Sequence, residues 1–135
     1  MKSNKILLVT GASLAAVSVI MGAFASHALK ARLTEQALGW ISTGVQYQMS
    51  HALMVVILGF ALIQWPNWRG LKAAAYSFII GILLFSGSLY FMAITDIRTL
   101  GILTPIGGVA MLVGWGLLIW AACAVDTVFG KQNDR

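Results

Sequence analysis

The chain has 135 residues, of which 59% are hydrophobic, and it carries only nine basic and four acidic residues. A mean hydropathy of +0.87 with so few charges excludes an ordinary soluble domain, and the length fits one domain. The net charge of +5 sits at the ends of uncharged stretches, which indicates contact with anionic lipid headgroups and a topology signal, and not nucleic-acid binding.

Four uncharged windows divide the chain, and each can hold the ~20 residues that a helix needs to cross a hydrocarbon core of ~30 Å. We therefore predict an all-α fold, a four-transmembrane-helix bundle in which residues 1–135 form a single integral membrane domain. We expect the first run to be retained and not cleaved as a signal peptide, because it is longer than a typical signal core and three more spans follow. The predicted spans are residues 6–29, 47–65, 73–95 and 104–125.

The stretch between the first two spans is the longest predicted connector. Thr34 is a favourable N-cap, Glu35 falls in the first turn, and apolar residues recur at helical spacing from Ala37 to Val45. This pattern predicts a short amphipathic connector that lies in the membrane interface. Because Gly39 and Gly44 weaken a helix, a broken or re-entrant segment is the alternative for this stretch.

Small residues recur inside the spans at three- and four-residue spacing. In a membrane such residues let helix backbones approach closely, and Pro105 suits the first turn of the fourth span. We therefore predict that glycines hold the helices together, and we expect the first and fourth spans in particular to be held by small residues. The predicted helix-packing positions are Gly22, Gly81, Gly87, Gly107, Gly108 and Gly114.

Polar residues gather in the halves of the spans that lie farthest from the chain termini. Tyr47 and His51 share one face of the second span, and Ser86 and Tyr90, also four residues apart, share one face of the third. Because an unpaired polar group in hydrocarbon is costly, we predict that His51 points inward and hydrogen-bonds to Ser86, Tyr90 or His27. The predicted outer-half polar cluster consists of His27, Tyr47, Gln48, His51, Ser86, Ser88, Tyr90, Asp96, Arg98 and Thr104.

The distribution of basic residues predicts the orientation of the bundle. Six of the nine Lys and Arg residues lie in the two terminal tails and the second connector, and three lie in the first and third connectors. Since basic residues concentrate on the cytoplasmic side, we predict an inner (plasma) membrane protein with both termini in the cytoplasm.

Reporter fusions test this topology directly. A fusion after Arg135 and an insertion between Lys30 and Gln36 should report from opposite sides of the membrane, the first from the cytoplasm. Reports from the same side would contradict the predicted arrangement of spans.

Four sequence motifs, GAFASHAL, YQMSHAL, LFSGSLY and TPIGGVAMLVGW, occur in this order along the chain. With these motifs nearly the whole chain resembles the small membrane proteins of domain-of-unknown-function family 423. The first motif departs slightly from the usual GAFGAH at Ala25 and Ser26, where one small residue replaces another. The resemblance implies a four-span inner-membrane protein and implies no activity. Its motif positions are His27, Tyr47, His51, Ser86, Gly87, Ser88, Tyr90, Thr104, Pro105, Gly107 and Gly108.

Several classes of function stay open from the sequence. The first is a structural or assembly protein that contacts the lipid bilayer and a membrane protein partner or a second copy of itself. The second binds or transports a small polar solute, a proton or a quinone-like ligand at the outer-half polar cluster. A metal or haem protein would use His27 and His51, but His51 lies deeper and no third ligand motif exists. The single cysteine, Cys123, excludes a multi-cysteine metal site.

An enzyme is the least supported class, because no nucleophile, base and orienting group occur in a recognisable arrangement. We therefore predict no catalytic residues, no metal site and no cofactor. The interpretation that the residues favour most is a structural, assembly or partner-binding membrane protein.

Overall fold

The computed structural model describes residues 2–124, and this range consists of helices joined by short connections. Its elements are α1 (Lys2–Phe24) with a π-helical turn (Ala25–Leu29), α2 (Glu35–Gln64), α3 (Leu71–Thr95), a 3₁₀ turn (Arg98–Ile102) and α4 (Leu103–Cys123). Four helices in the described range are long and apolar enough to cross a membrane, which confirms the predicted fold class. The predicted end of the fourth span at residue 125 and the basic tail residues Lys131 and Arg135 lie outside the described residues.

Helix α2 is longer than predicted, because the expected connector is part of it. Thr34 caps the helix as expected, its hydroxyl accepting from the backbone N–H of Ala37 at 3.2 Å. The helix then runs without a break to Gln64, so residues 35–46 form neither a separate interfacial helix nor a re-entrant segment. Ala37 and Ile41 are buried with Ala93 of α3, and this burial outweighs the ~1 kcal/mol that each glycine costs a helix.

The helices pack in chain order. The extensive interfaces are α1 with α2, α2 with α3, and α3 with α4, whereas α1 and α4 share no extensive contact in the described range. The two central helices are accordingly the more buried, and the flanking helices α1 and α4 turn most of their surface outward. The bundle is therefore open on the side where α1 and α4 would have met.

Glycines bring α3 and α4 into close contact. A Cβ atom on Gly107 would meet the backbone of Phe85, and one on Gly114 would lie 2.6 Å from Cε1 of Phe78. On the facing helix, a Cβ on Gly81 would lie 2.5 Å from Cγ of Met111. A side chain would therefore have to displace backbone of the facing helix at Gly107, and a packed side chain at Gly114 and Gly81.

The other predicted packing glycines contribute less. A Cβ on Gly22 or Gly108 would make only ordinary contacts, at 3.6 Å and 3.8 Å. Gly87 corrects the prediction, because a Cβ there would meet none of the described residues within 4 Å. It lines a shallow surface groove between α3 and the 3₁₀ turn.

The contact between α1 and α2 depends on Gly11, one of the small residues that recur along the first span and that were expected to permit close helix approach. A Cβ on Gly11 would lie 2.9 Å from the backbone nitrogen of Val56 and 3.0 Å from the carbonyl oxygen of Ala52. The backbones of the two helices therefore touch at this level, as small residues in membrane helices permit.

Candidate functional site

Gln48 links three helices through its side chain. It is buried on α2, its Nε2 donates to the carbonyl oxygen of Leu14 on α1 at 2.7 Å, and its Oε1 accepts from the Tyr90 hydroxyl on α3 at 2.9 Å. An amide has both donors and an acceptor, so one side chain can satisfy partners on both sides. Gln48 thereby sets the position of α2 relative to α1 and α3.

Two serine hydroxyls of α3 join this helix to α2 and to α4. The buried Ser86 on α3 donates to the carbonyl oxygen of Gly44 on α2 at 2.8 Å. Ser88 shares a 2.7 Å hydrogen bond with Thr104 of α4, in which either hydroxyl can be the donor. We call Gln48, Ser86, Ser88, Tyr90 and Thr104 the polar seam.

His51 joins α2 to α4, two helices that the polar seam does not link directly. The residue is 7% exposed, its Nδ1 lies 2.8 Å from the carbonyl oxygen of Tyr47 and 3.2 Å from the Ser50 hydroxyl, and its Nε2 lies 3.1 Å from Nε1 of Trp115 on α4. Because an indole N–H can only donate, Nε2 is the acceptor and Nδ1 carries the proton that it donates to Tyr47. The contact therefore requires the neutral ring, and both ring nitrogens are engaged.

The hydrogen-bond partners of His51 differ from those predicted. The ring faces the interior, packing against Phe78 with ring centroids 5.3 Å apart, but its hydrogen bonds go to Ser50, Tyr47 and Trp115. Ser86 and Tyr90 are instead satisfied by Gly44 and Gln48, respectively.

The depth of His51 also corrects the predicted outer-half cluster. We call the end of the bundle that holds residues 25–34 and 96–102 the distal end. Trp115 lies twelve residues beyond Leu103 and eight before Cys123, so it is ~18 Å from the distal end of α4 and ~12 Å from the other end at the helical rise of ~1.5 Å per residue. His51 therefore lies in the middle of the bundle, whereas Ser88 and Thr104 lie nearer its distal end.

His27 does not join the cluster. It lies in the π-helical turn at the distal end, is exposed, and makes no side-chain hydrogen bond to the residues that the structure describes. His51 is sixteen residues into α2 from the same end, a rise of ~24 Å. The structure does not bring the two histidines together, so it does not support a metal or haem site that they would share.

Asp96 and Arg98 lie at the distal mouth of the bundle, away from the polar seam. They form an exposed ion pair with Arg98 Nε 3.5 Å from Asp96 Oδ1, and the Arg98 guanidinium sits 5.9 Å from the ring centre of Trp40. These two residues therefore belong to a separate surface feature.

Sequence reasoning missed three polar residues that hold the helices together. Asn4 donates to the carbonyl oxygen of Leu62 at 2.7 Å, and Ser18 donates to that of Val45 at 3.0 Å, so both join α1 to α2. Trp115 is the third of these residues, and it joins α4 to α2 through His51. A tryptophan in the middle of a span, away from the interfacial aromatic belt, is a signal that could have found it, because an indole N–H at hydrocarbon depth needs an acceptor.

A groove runs between α2 and α4, with α3 as its floor. The Tyr47 ring lies at its edge, stacked on His51 with centroids 6.1 Å apart and against Phe85 with centroids 4.6 Å apart. The groove has a volume of about 420 Å³ and is lined by Tyr47, His51, Phe85, Pro105, Gly108, Val109, Met111, Leu112 and Trp115. We call it the α2–α4 groove.

The fold and the polar contacts together define a small integral membrane protein of four helices, joined by interhelical hydrogen bonds and by close glycine contacts. Comparison with known proteins gives the family: the model of the family described as "Protein of unknown function (DUF423)" matches residues 21–108. The chain belongs to this family.

The relatives cover most of the chain. It is 37% identical to the UPF0382 membrane protein YwdK of Bacillus subtilis over 118 residues, which is 87% of this chain and 96% of the relative. It is 34% identical to the UPF0382 inner membrane protein YgdD of Escherichia coli K12 over 124 residues, 89% of this chain and 91% of the relative. It is 38% identical to the UPF0382 membrane protein SERP0230 of Staphylococcus epidermidis over 117 residues. No solved structure matches the chain. The predicted membrane class and family are thus confirmed.

Proposed function

We propose that this protein is a structural or partner-binding component of the bacterial inner membrane and that a transmembrane helix of a partner protein docks in the α2–α4 groove. The observation that carries this proposal is that every buried side-chain nitrogen and oxygen among residues 4–124 has a hydrogen-bond partner within the chain. The buried polar groups are therefore already engaged within the chain, and the α2–α4 groove offers an apolar surface for another molecule.

The polar seam and His51 support this proposal by keeping the groove walls in place. Interhelical hydrogen bonds in membrane bundles contribute only ~0.6 kcal/mol each on average, so their main effect here is to specify the positions of the helices. Tyr47 on one wall and Trp115 on the other are positioned through His51. Between them the groove presents apolar side chains, which suit the surface of an apolar helix.

A lipid-soluble small molecule, such as a quinone-like ligand, is the second candidate occupant. The volume of about 420 Å³ falls within the ~300–1,000 Å³ that is typical of small-molecule sites. Aromatic rings of Tyr47, Phe85 and Trp115 line the groove and would contact a planar ring.

A photo-crosslinking side chain at Leu112 tests both candidates in native membranes. Leu112 lines the groove and is 70% exposed, whereas the control position Ile119, two turns further on α4, is 64% exposed and does not line it. We expect Leu112 to give a discrete adduct with a second polypeptide and Ile119 to give adducts with lipid only. An adduct with a small non-lipid molecule at Leu112 alone would favour the second candidate.

A larger side chain that fills the groove should abolish the crosslink from Leu112. Gly108→Leu places a side chain in the groove while its Cβ makes only an ordinary 3.8 Å contact with Phe85, so we expect the bundle to fold and the Leu112 adduct to disappear. The same adducts from Leu112 and Ile119, or an adduct unaffected by Gly108→Leu, would contradict a binding role for the groove.

The orientation with both termini in the cytoplasm belongs to the same proposal. It places the distal end of the bundle on the outer face of the membrane, and the basic residues of the second connector, Arg69 and Lys72, on the inner face. The reporter fusions described above test it.

A further inference from the structure

A small cavity opens at the distal end of the bundle, between the start of α2 and the link from α3 to α4. Its volume is about 290 Å³, and it is lined by Arg32, Leu33, Thr34, Gln36, Ala37, Trp40, Asp96 and Arg98. Leu33, Ala37 and Trp40 belong to the apolar cluster at this end of the bundle, so the cavity has an apolar inner wall and a charged rim. We call it the distal cavity.

The charged rim is not explained by the stability of the fold. Asp96 and Arg98 are 81% and 68% exposed, and exposed ion pairs of this kind contribute ~0–1 kcal/mol. Arg32 lines the same cavity and is also exposed. Two guanidinium groups and one carboxylate therefore meet at a site where the ion pair adds little to folding.

Asp96 also places its charge where a helix end does not favour it. It caps α3 in the left-handed region at φ 54°, where glycine or asparagine is the usual residue, and it is the only non-glycine residue with positive φ in the described range. Its negative charge lies at the C-terminal end of a helix, where the helix dipole is itself negative. The carboxylate is thus present although the helix dipole disfavours it, which is consistent with a use outside the helix.

We propose that the distal cavity binds the phosphoethanolamine headgroup of a phospholipid. Arg32 and Arg98 donate to the phosphate, since a planar guanidinium matches phosphate oxygens, and Asp96 accepts from the ammonium group. The two cations and one anion of the rim thus match the one anion and one cation of the headgroup, with Arg98 also held against the Trp40 ring. The volume suits a headgroup rather than a whole lipid, and the apolar wall lets the acyl chains continue along the bundle.

Native mass spectrometry of the full-length protein in detergent tests this proposal with three lipids: phosphatidylethanolamine, phosphatidylcholine and phosphatidylglycerol. We expect phosphatidylethanolamine to bind most tightly, because only its headgroup offers both a phosphate and an ammonium N–H. Arg98→Gln should weaken this binding about tenfold, which corresponds to about 1.4 kcal/mol. Asp96→Asn should weaken binding of phosphatidylethanolamine by a similar factor and leave binding of phosphatidylglycerol unchanged.

Matched controls separate the site from general charge effects. Arg69→Gln removes one exposed arginine at the opposite end of the bundle, and Glu35→Gln removes an exposed carboxylate that does not line the cavity. Both should bind phosphatidylethanolamine as the unaltered protein does. The helical circular dichroism and melting temperature of Asp96→Asn should be unchanged, because asparagine adopts the left-handed conformation readily.

Four results would overturn the proposal. Equal losses in Arg98→Gln and Arg69→Gln would remove the distal cavity as the site. Binding of phosphatidylglycerol as tight as that of phosphatidylethanolamine, or no effect of Asp96→Asn, would remove the ammonium contact. Soluble phosphoethanolamine that competes at the same concentration as the lipid would show that the source is a free phosphate ester and not a membrane lipid.

Discussion

Replacing Gly107 with leucine is expected to lower the melting temperature of the bundle in detergent more than any other single change proposed for this chain. A Cβ at this position meets the backbone of Phe85 on α3, and a backbone cannot move aside as a flexible side chain can. Overpacking typically costs ~1 to 3 kcal/mol, and we expect a loss at the upper end of that range. Thermal unfolding followed by circular dichroism measures the effect.

Gly116→Leu is the matched control, since it makes the same change on the same helix. A Cβ on Gly116 would meet none of the described residues within 4 Å, and the position is exposed. Because leucine is also the better helix former, this variant should melt at the same temperature as the unaltered protein or slightly above it. Equal destabilisation by both variants would show that close packing at Gly107 is not the cause.

The second large effect is expected at the contact between α2 and α4. His51→Leu leaves the indole N–H of Trp115 without its acceptor, and an unsatisfied donor costs ~1 to 3 kcal/mol. Trp115→Phe should also destabilise the bundle, because it leaves Nε2 of His51 without a donor. The double variant His51→Leu with Trp115→Phe should lose less stability than the sum of the single variants, because both polar partners are gone.

The difference between the summed losses of the single variants and the loss of the double variant measures the interaction energy of the hydrogen bond. Couplings of this kind in membrane bundles average ~0.6 kcal/mol and reach ~1.7 kcal/mol. Trp120→Phe serves as the control, since Trp120 is exposed on the same helix outside this contact, and its combination with His51→Leu should be additive. Additive losses for His51 and Trp115 would show that the two side chains do not interact.

The hydrogen-bond partners of His51 and Tyr90 could not be predicted from the sequence. The four-residue spacing of Tyr47 and His51 correctly indicated a buried histidine, because a polar ring facing lipid is costly. The spacing carries no information on how far one helix is shifted along another. That shift pairs Tyr90 with Gln48 and brings His51 level with Trp115, a residue of α4 that was not among the predicted polar contacts.

The continuity of helix α2 is a second feature that the sequence did not predict. Local propensities at Gly39 and Gly44 favoured a weak or broken helix, and they would have governed an isolated segment. In the folded chain Gly44 lies beneath the Tyr90 ring and its carbonyl accepts from Ser86, while Ile41 is fully buried. A glycine that weakens an isolated helix is here the residue that permits the contact with α3.

The sequence by itself determined that this is a membrane protein of four helices, approximately where the helices lie, and which family it belongs to. Those properties depend on hydropathy, on charge and on motifs, all of which are local in the chain. The tertiary structure alone decided that the bundle is open between α1 and α4, that His51 bonds to Trp115, and that Gly107 rather than Gly87 is a close contact. These properties depend on the rotation and relative height of packed helices, which are set by backbone contacts between residues far apart in the chain.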